Sequence, residues 1–102
     1  DSASSRTLDV DLESLKSISD FKLYTLGGGE DGIFAPDSVE FFTSVDGTTW
    51  TSQGTVFKPN IMENGTGTFP VEYRLILGSN INKRYARAVV NPGNGWCMAI
   101  GI

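Results

Sequence analysis

Apolar and polar residues alternate with a period of two along most of the chain. Leu8, Val10 and Leu12 alternate with Asp9 and Asp11, the pattern of a half-buried strand. Between Ile18 and Leu26, Phe21 and Leu23 fall on one side, Lys22 and Tyr24 on the other. Val39, Phe41 and Thr43 alternate with Glu40, Phe42 and Ser44. Val71, Tyr73, Leu75 and Leu77 alternate with Glu72, Arg74 and Ile76, and Ala86, Ala88 and Val90 with Tyr85, Arg87 and Val89. Short strands fit Thr49–Ser52 and Thr55–Phe57, and the chain closes with an apolar run from Trp96 to Ile102. The pattern predicts seven or eight strands. The one helical candidate, Leu12 to Ile18, is too short and too Ser-rich to persist.

Turn signals punctuate these runs. Asp46-Gly47 predicts a two-residue hairpin, because a type I′ turn needs positive φ at both central residues. Pro36-Asp37, Asn64-Gly65, Pro92-Gly93 and Asn94-Gly95 are further breaks. Short antiparallel strands with frequent turns give an all-β fold, an antiparallel β-sandwich of the jelly-roll kind. With 102 residues the chain makes one domain. Residues 1–6 read as a frayed end or linker remnant and residues 7–102 as the sandwich.

Composition narrows the chemistry. Histidine is absent and Cys97 is the single cysteine. No Ser-His-Asp triad, Cys-His dyad, histidine zinc site or intrachain disulfide can be built. The net charge of −4 predicts no nucleic-acid partner and no anionic-membrane footprint. That charge is uneven: residues 1–46 sum to −7 and residues 47–102 to +3. No run of apolar residues is long enough to span a membrane as a helix.

The segment Gly27-Gly28-Gly29-Glu30-Asp31-Gly32-Ile33-Phe34 is the most informative. Its glycines allow close backbone approach, and Gly29, Glu30, Asp31 and Phe34 set oxygen acceptors beside an aromatic. Carboxylates in such a loop suit sugar hydroxyls and would also suit a hard cation such as calcium. They would repel phosphate, and the Lys-Ser/Thr end of a phosphate-binding loop is missing. As a plain solvated loop, the same stretch would instead bury Phe34 beside Pro36.

Other residues have structural explanations. Trp50 lies just past the Asp46-Gly47 turn and can cover one end of the core. Trp96 starts the last strand, where it either packs or stacks on a sugar ring. Arg87 points away from Ala86 and Ala88 and suits a structural ion pair. Asp9 and Asp11 share one strand face. Their spacing reaches the inverting-glycosidase range, yet no cleft-forming excess of chain surrounds them, so they read as a polar outer face. Cys97 has no activating neighbour in sequence and reads as a small buried hydrophobe.

Several segments together carry a family resemblance. They are Thr7-Leu8-Asp9-Val10-Asp11-Leu12, Ile18-Ser19-Asp20-Phe21-Lys22-Leu23, Gly32-Ile33-Phe34-Ala35-Pro36-Asp37-Ser38-Val39-Glu40, Ser44-Val45-Asp46-Gly47-Thr48-Thr49-Trp50, and Arg84-Tyr85-Ala86-Arg87-Ala88-Val89-Val90 before Gly95-Trp96. Their order resembles the discoidin domain, also called the coagulation factor 5/8 type C domain. Its bacterial relatives are the family 32 carbohydrate-binding modules. The resemblance implies a galactose-binding-domain-like sandwich in which the loop carrying Glu30 and Asp31 faces the ligand and Trp50 is structural. It also implies two or so further strands before Leu8 and a closing acidic pair, where this chain reads Ala99-Ile100-Gly101-Ile102. Without them the family's calcium site is not expected, and no cofactor is. The chain then reads as a trimmed fragment, a minimal variant or a subunit completed by another chain.

The expectation is a non-catalytic carbohydrate-binding or adhesion module of a larger extracellular or cell-surface protein. Its partner is a glycan or polysaccharide, bound through Gly29, Glu30, Asp31, Phe34 and Trp96. The alternative is a structural or protein-interaction sandwich that meets another chain or a flanking domain.

Overall fold

The computed structural model describes residues 5–30, 34–91 and 95–101, with backbone alone for 95–97. Five strands form one hydrogen-bonded antiparallel sheet: β1 (Arg6–Gly27), β2 (Ser38–Ser44), β3 (Thr51–Phe57), β4 (Phe69–Asn91) and β5 (Gly95–Gly101). Their order is β3-β2-β4-β1-β5.

The strands predicted separately at Leu8–Leu12 and Ile18–Leu26 are the two arms of β1, and Val71–Leu77 and Ala86–Val90 are the two arms of β4. Bulges explain the break in alternation. The β1–β4 register shifts between Asp11 and Lys16 and again between Ile18 and Asp20, and Glu13 takes a φ of 72°. Thr49–Ser52 and Thr55–Phe57 merge likewise into β3. There the register slips beside Phe41, opposite Gly54 at φ 148°. The Asp46-Gly47 turn is not a two-residue hairpin: residues 45–50 form its loop. The Asp46 carboxylate organises that loop by accepting from the amides of Thr48 (2.8 Å) and Thr49 (2.9 Å) and from the Ser44 hydroxyl (2.9 Å).

The bulged ribbon of β1 and β4 folds back on itself and makes a sandwich. Of the two arms of β4, β2 pairs only with the 85–91 arm, and of the two arms of β1, β5 pairs only with the 20–25 arm. One layer therefore holds β3, β2 and the 83–91 and 6–13 arms; the other holds the 69–77 and 20–27 arms and β5. Phe21 of one layer stacks on Phe41 of the other at 5.2 Å. Of the inward residues read from the alternation, Phe21, Leu23, Val39, Phe41, Val71, Tyr73, Ala86, Ala88 and Val90 are buried, whereas Leu8, Val10, Leu12, Leu75 and Leu77 are half-buried. The Tyr73 hydroxyl donates to the Pro36 carbonyl and anchors the β1–β2 loop to the core. Burial, with help from the nearby Glu63 and Asp37 charges, pushes that phenol well above its ordinary value.

Candidate functional site

Two ends of the sandwich carry different chemistry. At the loop end, the close of β1, the starts of β2 and β4 and the close of β3 converge: Gly27 pairs with Phe69, and Ser38 with Phe57 and Asn91. The backbone of Gly95 reaches the same end by pairing with Thr25.

Glu63 holds this end together. Its Oε2 accepts from the amides of Gly28 (3.0 Å) and Ala35 (2.8 Å), and its Oε1 from Lys58 Nζ (2.7 Å). Only 9% of its side chain is exposed. Burial works to raise this carboxyl, but the Lys58 ammonium and the two amides outweigh it, leaving it below its ordinary value. The Lys58 amide donates to Asp37 O and the Gly65 amide to Gly28 O, each at 2.9 Å, so residues 28–30, 34–37 and 58–68 form one unit.

Gly28 sits at φ 118°, and a Cβ there would lie 2.1 Å from Gly67 O. That contact requires glycine on both conformational and steric grounds. Gly29, at φ 87°, lies under the Phe34 ring. Glu30 follows and accepts from the Thr68 hydroxyl through one oxygen at 3.1 Å. The loop residues Gly29, Glu30 and Phe34 are thus gathered at one place. Phe34 is 51% exposed, so its burial beside Pro36 is not realised, and its ring lies against Gly29, the residue before Glu30. Asp31, the side chains of Trp96 and Cys97, and the turns at Pro92-Gly93 and Asn94 lie outside the described residues.

Sequence reasoning missed Glu63, Lys58 and Thr68. The available signal was slight: Glu63 is one of two acids after residue 46 and follows Lys58 by five positions. It also missed the exposed Phe57 (73%) at the end of β3 and Met62 (75%) in the 58–68 segment.

At the turn end lies an open cleft of about 440 Å³ whose lining includes Asp9, Asp11, Asp46, Trp50, Tyr85 and Arg87. Its charged groups serve one another. Arg87 forks onto Asp9 (2.7 and 3.0 Å) and lies 4.0 Å over the Trp50 ring. Arg84 forks onto Asp11 (2.8 and 3.0 Å) and lies 5.0 Å over Tyr85. The ion pair expected of Arg87 and the polar face expected of Asp9 and Asp11 are both present. Asp46 is held down to about 2, chiefly by the Thr49 and Thr48 amides. These bonds stabilise the fold, so the loop end, where Glu30 and the exposed Phe34 lie on one loop, is the better candidate site. Among the described residues, no cluster of three or more acids and thiols is placed to hold a metal ion.

The sequence matches no family model and no curated protein. Solved structures do match. Over 95% of this chain it aligns with a CBM32 domain, CpGH89CBM32-6, produced by Clostridium perfringens, at 25% identity and a TM-score of 0.54. Over 95% it also aligns with CBM32-1 from a family 31 glycoside hydrolase of Clostridium perfringens, at 15% identity and a TM-score of 0.58. A glycoside hydrolase aligns over 96% of this chain at 17% identity and a TM-score of 0.65. The chain spans 19% of that hydrolase chain, 64% of CpGH89CBM32-6 and 72% of CBM32-1. The fold is therefore the discoidin-like, galactose-binding-type β-sandwich of the CBM32 domains.

Proposed function

We propose that this domain is a non-catalytic carbohydrate-binding module that holds a glycan at its loop end. The observation that carries the reading is that the exposed Phe34 and Glu30 flank Gly29 on one loop, held by Glu63 through the Gly28 and Ala35 amides. Glu30 accepts hydrogen bonds from sugar hydroxyls, and Phe34 stacks on the apolar face of the ring. Asp31 and Trp96, assigned from the sequence, complete the site. A site pre-ordered in this way loses little entropy on binding.

The CBM32 modules that share the fold support the ligand class. The pairing of Asp9 and Asp11 with arginines, which leaves neither free to act as acid or base, supports a role without catalysis. The setting proposed is a larger extracellular or cell-surface protein, in which the module attaches its parent to glycans. Screening on a glycan array followed by calorimetric titration tests this. Saturable binding that weakens in Glu30→Ala and Asp31→Ala is expected; no binding by a well-folded sample overturns it.

A further inference from the structure

Thr68 and Glu30 stand 38 residues apart and are brought together by the backbone. Gly27 closes β1 opposite Phe69 at the start of β4. Beyond that pair, Gly28 packs so tightly on Gly67 that a Cβ there would lie 2.1 Å from the Gly67 carbonyl oxygen. Thr68 follows Gly67, and its Oγ1 donates to Glu30 Oε2 at 3.1 Å. Both residues are exposed. A carboxylate has no hydrogen to give, so the direction of this bond is fixed, and it uses the one hydrogen of the Thr68 hydroxyl. The pair therefore offers a ligand acceptors alone: Oε1 of Glu30, and the remaining lone pairs of Oε2 and of Thr68 Oγ1. The surrounding segments do not reverse this. Residues 28–37 and 58–68 carry Glu30, Asp31, Asp37 and Glu63 against one cation, Lys58, whose ammonium is committed to Glu63 at 2.7 Å.

We propose that this acceptor-only corner sets the class of saccharide taken at the loop end, with Thr68 as its specificity-determining residue; the inference rests on the carbohydrate-binding reading above. The class is a sugar that presents two adjacent free hydroxyls. One donates to Oε1 of Glu30 and its neighbour to Oγ1 of Thr68. Thr68 also positions the carboxylate, since its bond to Oε2 holds Oε1 in one direction. A sugar sulfated at that pair brings acceptors and negative charge to oxygens that are themselves acceptors. A sugar methylated there brings no hydrogen. Each sets lone pairs against lone pairs, so the corner discriminates by refusing the wrong ligand as well as by holding the right one.

An array of neutral oligosaccharides, each printed beside its O-sulfated and O-methylated counterparts, tests the proposal on the unmodified protein. The best neutral member should bind, and blocking either of one adjacent pair of its hydroxyls, by sulfate or by methyl, should weaken binding about tenfold or more. Thr68→Val keeps the side-chain shape and removes the hydroxyl. It should cost about tenfold in affinity for the same saccharide with an unchanged thermal midpoint, and Thr68→Ser should restore binding. A purely structural role for Thr68 would move the midpoint and not the preference among the counterparts. Equal binding of free, sulfated and methylated members, or a Thr68→Val variant that binds as the parent does, overturns the corner and leaves the proposed function standing. No binding to any saccharide overturns both.

Discussion

The ammonium of Lys58 sits 2.7 Å from Oε1 of Glu63, while Oε2 of the same carboxylate takes the amide hydrogens of Gly28 and Ala35. One side chain thus ties together three segments of the loop end. Glu63→Gln keeps the shape but loses the charge that strengthens all three bonds. It should lower stability by about 1.5–3 kcal/mol in urea unfolding, the range for a hydrogen bond to a charged group. Saccharide affinity should fall with it, because Glu30 rides on the same loop. A variant as stable as the parent would contradict this role.

Acid should unfold the domain through its carboxyls. Asp11, Asp46 and Glu63 all stand below their ordinary values of 3.8, 3.8 and 4.5, Asp46 at about 2. Each binds a proton more readily in the unfolded chain than in the folded one. Their contribution is complete above the unfolded values and is lost as pH falls through the folded ones. Circular dichroism should show stability falling from about pH 5 towards about pH 2. Asp46→Asn should be less stable at neutral pH and lose stability less steeply on acidification.

Gly28 and Gly67 make a matched pair. A Cβ on Gly28 meets the Gly67 carbonyl oxygen at 2.1 Å and forces an L residue to φ 118°, whereas one on Gly67 meets nothing within 4 Å. Gly28→Ala should destabilise by about 1–3 kcal/mol, and Gly67→Ala should leave the thermal midpoint nearly unchanged. Equal effects would mean that the two segments do not dock as described.

Arg87→Ala removes the fork onto Asp9 and the guanidinium over Trp50 together. Both partners are partly solvated, so a loss of about 1 kcal/mol is expected from chemical denaturation. Saccharide affinity should not change, because this ladder lies at the opposite end of the sandwich from Glu30.

The sandwich was legible because it rests on alternation: Phe41, Tyr73, Ala88 and their neighbours declare their faces locally. That Arg87 forms an ion pair was legible too, from its outward place between Ala86 and Ala88; that its partner is Asp9 was not, because the two meet only through the β1–β4 register. The continuity of β1 was not, because the bulges at Glu13 and Ser19 break the period while the strand runs on. The Asp46 loop was misread because the Asp-Gly signal fixes a turn but not its length; Asp46 instead holds a longer loop with its own carboxylate. Glu63 was invisible for another reason. Its partners Gly28 and Ala35 lie 35 and 28 residues away, and no local pattern encodes a contact that only the folded loops create.

Chemical-shift mapping of the isotope-labelled domain, titrated with the best saccharide from the array, tests the central claim most directly. Perturbations should gather on residues 28–34 and 62–68 and vanish with Phe34→Ala. Perturbations centred instead on Trp50, Tyr85 and Arg87 would contradict it.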